Sequence, residues 1–318
     1  MPFEQSEKGK IFQMTKITIE DKEYPKQLKE IKNPPKQLYL EGNTELLKQN
    51  IISIVGSRNC TQNGKKLAKK FASELTMQKI TIASGMAKGI DSAAHIGTME
   101  AGGKTIAVLG NGFNNIFPKE NIELYKEIIR EGGLIVSEYP PDTEAKSNLF
   151  LERNRIVSGL SIGVLVVEAA HRSGTSVTAK LAESQGRKVF VLPHEIDDKY
   201  GVGTNNLIKK GAILITSTRD IINNFKFLRY IELENASMVN TDKNIKNKIQ
   251  EQKINKTLEV RLTNKIEKEV YMLIKNGNKE VNEIAKKSNK SISEITNALL
   301  MLELDGAIKK IAGGYKCI

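Results

Sequence analysis

Four short loops, each combining glycine or small polar residues with a cation, hold most of the chemistry open to this sequence. The first is Gly56-Ser57-Arg58, which closes an apolar run beginning at Ile51 and opens a stretch with helical spacing. Glycine lets backbone approach a ligand closely, and a helix N-terminus offers N–H groups to an anion. Arg58 adds a planar, two-pronged donor for phosphate oxygens. The plain structural alternative is a tight strand-to-helix turn with a surface arginine. The second loop, Ser84 to Asp91, carries Gly85, Lys88 and Gly89 at another such junction. Asp91 and His95 are four residues apart and share a helix face, so a packing histidine held by a carboxylate is expected there rather than a metal pair. The third set is Arg153-Asn154-Arg155, with Lys146 upstream. One arginine is expected to reach phosphate and the other to organise the loop, or to pair with Glu168. The fourth, Arg172-Ser173-Gly174-Thr175, is an anion cradle by the same physics as the first. Each loop alone is a weak signal; four on one edge of a sheet are a strong one.

The elements between these loops place them on such an edge. Short apolar runs begin at Ile51, Ile80, Lys104, Gly132, Ile162 and Lys188, with a last short one at Ile213. Stretches of helical spacing separate them, for example Leu67, Phe71 and Leu75, or Ile122 to Glu131. Strands alternating with helices predict an α/β fold: a Rossmann-like, mostly parallel sheet with helices on both faces. Ligands of such sheets bind outside the carboxyl ends of the strands, where all four loops fall. Residues 51–228 are assigned to this domain. Residues 1–50 read as a lead-in, poorly ordered to residue 23, followed by an extended segment and a short helix from Thr44 to Gln49.

Residues 229–263 are polar and rich in Asn and Lys, and read as a partly disordered linker. Residues 264–318 then give three helical stretches and a hairpin turning at Gly313-Gly314, the order of a small winged-helix domain. Ser291 and Glu294 form a capping-box start for the third helix, whose apolar stripe is 292, 295, 299 and 302, and Gly306 stops it.

The net charge is +12, half of it in residues 240–318, which hold 16 basic and 10 acidic residues. A basic surplus favours a polyanion, because bound Lys and Arg release counterions from phosphate. Aromatics are 5% with no Trp, which puts phosphate contacts ahead of base stacking as the source of affinity. Two cysteines, Cys60 and Cys317, and three scattered histidines give no disulfide framework and no metal-ligand spacing. No cofactor is expected. No apolar stretch reaches signal-peptide or membrane-span length, so the cytoplasm is the expected compartment.

In order, the segments GSRNCTQNG, SGMAKGIDSAAH, TIAVLGNG, GLIVSEY, FLERNRIVSGLS, VLVVEAAHRSGTSVTAKLA and GTNNLIKKGA resemble the DprA/Smf family (DNA processing protein A) over about residues 24–225. The resemblance implies an extended Rossmann fold that binds single-stranded DNA in a positive pocket, forms homodimers, and loads the RecA recombinase during natural transformation. By position it implies DNA contacts from Gly56, Ser57, Arg58, Gly85, Gly89, Lys146, Arg153, Asn154 and Arg155, with Lys119 in the segment matching the family's Tyr-Pro-Lys. Here Phe117-Pro118 replaces Tyr-Pro, and Pro193-His194 stands where Pro-Gly is usual. The lead-in reads as the remnant of the helical N-terminal domain of many members. Three other functions make different demands on the sequence. A nucleotide-cleaving phosphoribohydrolase of related fold needs a Glu just after its Gly-Thr, yet Glu183 is the first after Gly174-Thr175, so no enzyme is expected. A small-nucleotide sensor would bind a mononucleotide saturably. A duplex-reading winged helix would need base-reading side chains on its third helix, Ser291 to Asp305, where Asn297 stands alone.

Overall fold

The computed structural model describes residues 14–170, 173–225, 228, 264–277, 279–304, 307–311 and 313–317. The chain divides into two compact units, Met1–Glu232 and Leu233–Ile318. The linker segment, Gly306, His171 and Arg172 lie outside the described residues.

The first unit is built on a nine-stranded sheet. Its strands are β1 (Thr15–Thr18), β2 (Gln37–Gly42), β3 (Ile51–Val55), β4 (Thr81–Ser84), β5 (Thr105–Leu109), β6 (Leu134–Ser137), β7 (Gly163–Val166), β8 (Lys188–Val191) and β9 (Ile213–Leu214). The spatial order is β1-β2-β6-β5-β4-β3-β7-β8-β9, parallel from β6 to β9. Strands β3 to β7 are fully buried, as parallel strands covered on both faces must be. The chain walks outward from β3 through β4, β5 and β6. It then returns to β7 on the other side of β3. That reversal creates a switch point between β3 and β7, where a crevice opens above the carboxyl ends.

The lead-in is not a separate element. Its residues from Thr15 form β1 and β2, which extend the sheet antiparallel beyond β6. Alternation explains this: Ile17, Leu38 and Leu40 are buried in the same core as Val136 and Val157. The sequence reading missed β1 because four residues carry almost no periodicity of their own. The helix expected near Thr44 is a 3-10 turn, Thr44–Lys48.

Helices cover both faces. One face carries α1 (Lys26–Lys29), α5 (Ser147–Gly159) and α6 (Gly174–Ser184); Ile156, Val157, Ala179 and Ala182 pack there. The other carries α2 (Gln62–Met77), α3 (Ile90–Glu100) and α8 (Thr218–Asn223), through Phe71, Leu75, Ala94 and Ile221. Helices α4 (Ile122–Arg130) and α7 (Val202–Lys209) complete the unit. No helix among the described residues is long and apolar enough to cross a membrane.

The second unit comprises α9 (Lys265–Lys275), α10 (Val281–Ser288), α11 (Ile292–Leu304) and a hairpin of β10 (Ile308–Ile311) and β11 (Gly314–Cys317). The capping box forms: Ser291 N–H donates to Glu294 Oε2 at 2.9 Å and Glu294 N–H to Ser291 Oγ at 3.3 Å. Gly313 and Gly314 turn the hairpin with φ of +89° and +131°. Of the expected stripe on α11, positions 295, 299 and 302 are buried and Ile292 is exposed.

Candidate nucleic-acid interface

A cleft of about 640 Å³ opens at the switch point. The loop after β3 gives it Gly56, Ser57, Arg58 and Asn59, and the loop after β4 gives Gly85, Ala87 and Asp91. Helix α5 contributes Ser147, Phe150, Arg153 and Asn154. The start of α6 adds Ser173, Gly174 and Thr175. Three of the four sequence loops thus meet directly, and the fourth does so at its described residues; Arg172 lies outside them.

The chain forms this cleft by interlocking its loops. Ser57 N–H donates to Glu168 O at the end of β7 (2.9 Å), and Ser57 O accepts from Ile90 N–H (3.3 Å). Gly89, with φ +83°, lies so close that a Cβ there would sit 2.4 Å from Ser57 O. A Cβ on Gly56 would meet Ile90 Cγ1 at 2.5 Å. These glycines are fixed by loop-on-loop packing, and Gly89 is not in the cleft lining. The glycine of α6 differs: among the described residues, nothing lies within 4 Å of a Cβ built on Gly174. Ser173 caps that helix by accepting from Ser176 N–H.

Both arginines of the third loop are engaged by other protein groups, one beneath the cleft and one away from it. Arg153, 4% exposed, donates through Nη1 to Gly85 O at 2.6 Å and to Val108 O. Its Nε donates to Asn154 Oδ1 (3.3 Å). A Cβ on Gly85 would lie 2.7 Å from Arg153 Nη2 and 2.8 Å from Asp91 Oδ2, so the glycine is required between them. Burial pulls the Arg153 guanidinium down to about 10, with Asp91 opposing, so it stays charged at neutral pH. Burial pushes the Asp91 carboxyl up, with Arg153 opposing. Arg153 is therefore a charged pillar under the floor. Arg155 points away from the cleft: it pairs with Glu138 at 2.6 Å and donates to Asn33 O and Glu152 O. The expected division of labour between these arginines does not hold, since both organise structure. Neither pairs with Glu168, whose carboxylate accepts from Thr61 N–H and Oγ1 at the start of α2.

Among the described lining residues, Arg58 is the exposed cation. Its guanidinium lies 5.6 Å from the centre of the Phe150 ring, whose other neighbours are Arg153 (5.9 Å) and Phe117 (5.4 Å between ring centres). A small adjoining pocket of about 120 Å³ brings Lys88 and Pro118 beside Arg58, Phe117 and Phe150. Lys88 is paired with Glu120 on the surface. Lys146, exposed, precedes α5 between the lining residues Ala145 and Ser147. Lys119 is exposed beside Pro118 and outside the lining. Sequence reasoning missed Phe117 and Phe150 because it weighed the low aromatic content of the whole chain, although Phe150 opens the very segment singled out for its arginines.

His95 is not held by a carboxylate. Thr105 Oγ1 donates to Ile82 O (2.8 Å) and so accepts from His95 Nδ1 (2.8 Å), which fixes the neutral Nδ1–H tautomer. Burial lowers its pKa to about 3. Among the described residues, no group of three or more His, Cys, Asp or Glu could hold a metal ion. His194, in the departing Pro-His loop, bonds Asp198 Oδ2 (3.0 Å) and Val167 O (2.8 Å), tying that loop to the end of β7.

Sheet order, switch-point crevice and cationic, aromatic lining define an extended Rossmann-like domain whose cleft is suited to an anion with a flat apolar part. Within that class the family model "DNA recombination-mediator protein A" matches residues 15–226, and the chain belongs to that family. It is 43% identical over 211 residues to Protein Smf of Escherichia coli, covering 66% of this chain and 56% of the relative. It is 42% identical over 211 residues to DNA processing protein DprA of Streptococcus pneumoniae, covering 66% and 74%. The chain thus spans just over half the length of the Escherichia coli relative. The X-ray structure of the Streptococcus pneumoniae protein superposes with TM-score 0.64 at 41% identity, over 67% of this chain and 75% of that one. A Helicobacter pylori DNA processing protein A, described for its single-stranded DNA binding mode, superposes with TM-score 0.61 at 34% identity, over 67% and 95%.

Proposed function

We propose that this chain is a recombination mediator that grips single-stranded DNA in the switch-point cleft, without choice of sequence and without catalysing a reaction. One observation carries the reading: an exposed arginine, an aromatic pair and the open start of α6 converge in one cleft. Phosphate would sit at Gly174 and Thr175 beside Arg58, with Gly56, Ser57, Asn154 and Ser173 around it. An unpaired base would lie against Phe117 and Phe150, a contact that a paired base within a duplex cannot make. Lys88, Lys119 and Lys146 would add charge at the rim. Gly85, Gly89, Arg153 and Arg155 act through shape and support. Among the described lining residues the one carboxylate, Asp91, is buried and faces Arg153, an arrangement that suits support better than general acid–base work. Family membership and its namesakes support the further proposals that the protein acts in the cytoplasm as a homodimer, and that it loads a RecA recombinase onto incoming single strands during DNA uptake.

Fluorescence anisotropy of labelled oligo-dT and of a duplex of equal length, over a salt series, tests this. The wild type is expected to prefer the single strand. Arg58→Ala is expected to bind more weakly, with a salt slope flatter by about 0.7, the value of one phosphate contact on a single strand. Equal slopes, or preference for the duplex, would remove the site from this cleft. Saturable binding of a mononucleotide with no gain from added length would favour a nucleotide sensor instead.

A further inference from the structure

The C-terminal unit concentrates positive charge on its hairpin and none on its third helix. Residues 306–318 hold Lys309, Lys310 and Lys316 and no acid. Helix α11 holds Glu294 and Glu303 and neither Lys nor Arg. The strand register sets Lys309 directly opposite Lys316. Their neighbours Ile308 and Cys317 pack into the core, so alternation turns both lysines outward, and both are exposed, as is Lys310. A fourth exposed lysine, Lys279, is tied to the same hairpin. Its carbonyl O accepts from Tyr315 N–H at 3.0 Å, and a Cβ on Gly314 would lie 2.9 Å from its Cβ. Gly314, with φ +131°, is what lets the segment before α10 come so close.

Like charges directly opposite each other destabilise a hairpin. In the first unit a strand lysine is placed otherwise: Lys16 on β1 stands opposite Tyr39 and lies over its ring at 5.7 Å. Among the described residues, none of Lys279, Lys309, Lys310 and Lys316 forms an ion pair. A repulsion kept on an exposed hairpin, with no counter-ion from the protein, is relieved by an anion from outside, and four cations together suit a row of phosphates. We propose that this hairpin and Lys279 form a second nucleic-acid contact, which holds the phosphate backbone of duplex DNA without reading its bases. Asn297 is the one base-reading side chain on α11, so the contact positions DNA and carries no sequence information. The aromatic residues of 264–318 are Tyr271 and Tyr315, buried and half-buried in the unit's core, which leaves an unpaired base nothing to stack on. A duplex needs no such platform. An anionic membrane would also attract lysines, but this hairpin turns on Gly313-Gly314 and offers no apolar tip to enter it. So few phosphate contacts give a Kd in the non-specific range, on the order of 1–100 µM at physiological salt. The contact does not rest on the cleft of the first unit.

The test uses the full chain and the anisotropy of a labelled duplex over a salt series. Lys309→Gln with Lys316→Gln is expected to flatten the salt slope by about 1.8, the value of two phosphate contacts on a duplex, and to weaken binding at least about tenfold at low salt. Lys268→Gln with Lys286→Gln removes the same charge from exposed positions on α9 and α10 and is expected to leave the slope unchanged. Equal slopes for the two double variants overturn the proposal, as does a wild type that does not bind the duplex. Melting temperatures separate binding from folding. Removing the repulsion should hold or raise the melting temperature, so a weaker grip is not the result of a damaged unit. Lys316→Glu sets a carboxylate opposite Lys309, and stability should rise while duplex affinity falls; an unchanged affinity means that no phosphate lies there. Oligo-dT affinity, which belongs to the cleft, should hold in the hairpin variants, and an equal loss on oligo-dT and duplex overturns the assignment to duplex. Lysine-dependent binding to phosphatidylserine vesicles without binding to duplex would give the hairpin to a membrane surface, and the proposal fails.

Discussion

The cleft has two walls made by different means. On the β4–α3 side, Gly85 and Gly89 have no room: one is wedged between Arg153 and Asp91, the other lies against the backbone of Ser57. On the β7–α6 side, Gly174 faces open space. Both walls read alike in sequence, as glycine-bearing strand-to-helix turns. Their difference separates residues that build the site from residues that are free to meet a ligand. The arginines divide in the same way, with Arg153 buried as a support and Arg58 exposed.

Breaking the closed wall should unfold the protein before it affects binding. Arg153→Ala has the largest expected effect. It leaves the Gly85 and Val108 carbonyls without their donor and Asp91 buried without a cation nearby. The expected loss is about 3–5 kcal/mol in urea unfolding, from two unpaired buried carbonyls and a buried carboxyl that loses its neighbouring charge; a loss under about 1 kcal/mol would contradict the pillar role. Gly89→Ala comes next. Its φ of +83° and the 2.4 Å approach of Ser57 O should together cost about 2–4 kcal/mol. A wild-type melting temperature for Gly89→Ala would mean that the loops are not interlocked.

The same wall should respond to acid through His95. Its folded pKa of about 3 lies below the ordinary imidazole value of 6.5, so the unfolded chain binds the extra proton first. The stability due to the neutral ring is complete above pH 6.5 and lost as pH falls toward 3. Between pH 7.5 and 5 the wild type should lose about 2 kcal/mol relative to His95→Gln. Parallel stability profiles for the two proteins would show that the ring is not buried neutral.

The sheet was legible because period and punctuation agree: fully buried strands leave unbroken apolar runs, and each ends in a turn. The four loops were legible as a group because a parallel sheet puts every strand's carboxyl end on one edge. Three things were not legible. Whether Arg153 or Arg155 faces outward depends on which side of α5 meets the sheet, and two residues of spacing do not decide it. The strand pairing of Thr15–Thr18 is set by β2, not by its own four residues. The aromatic pair is assembled from Phe117 and Phe150, distant in sequence, so overall composition concealed a local concentration.

The open wall gives the smallest effect on stability and the sharpest on ligand. In Gly174→Ala the added methyl meets no described residue, and alanine is the better helix residue by up to about 1 kcal/mol. The melting temperature should therefore hold or rise. If phosphate approaches the start of α6, that methyl stands in its path, and oligo-dT affinity should fall about tenfold, near 1.4 kcal/mol. Stability and binding thus move in opposite directions at Gly174, whereas at Gly89 they fall together. A variant that keeps both stability and affinity would leave the N-terminus of α6 outside the DNA path. Arg58 and the two phenylalanines would then hold the strand without it.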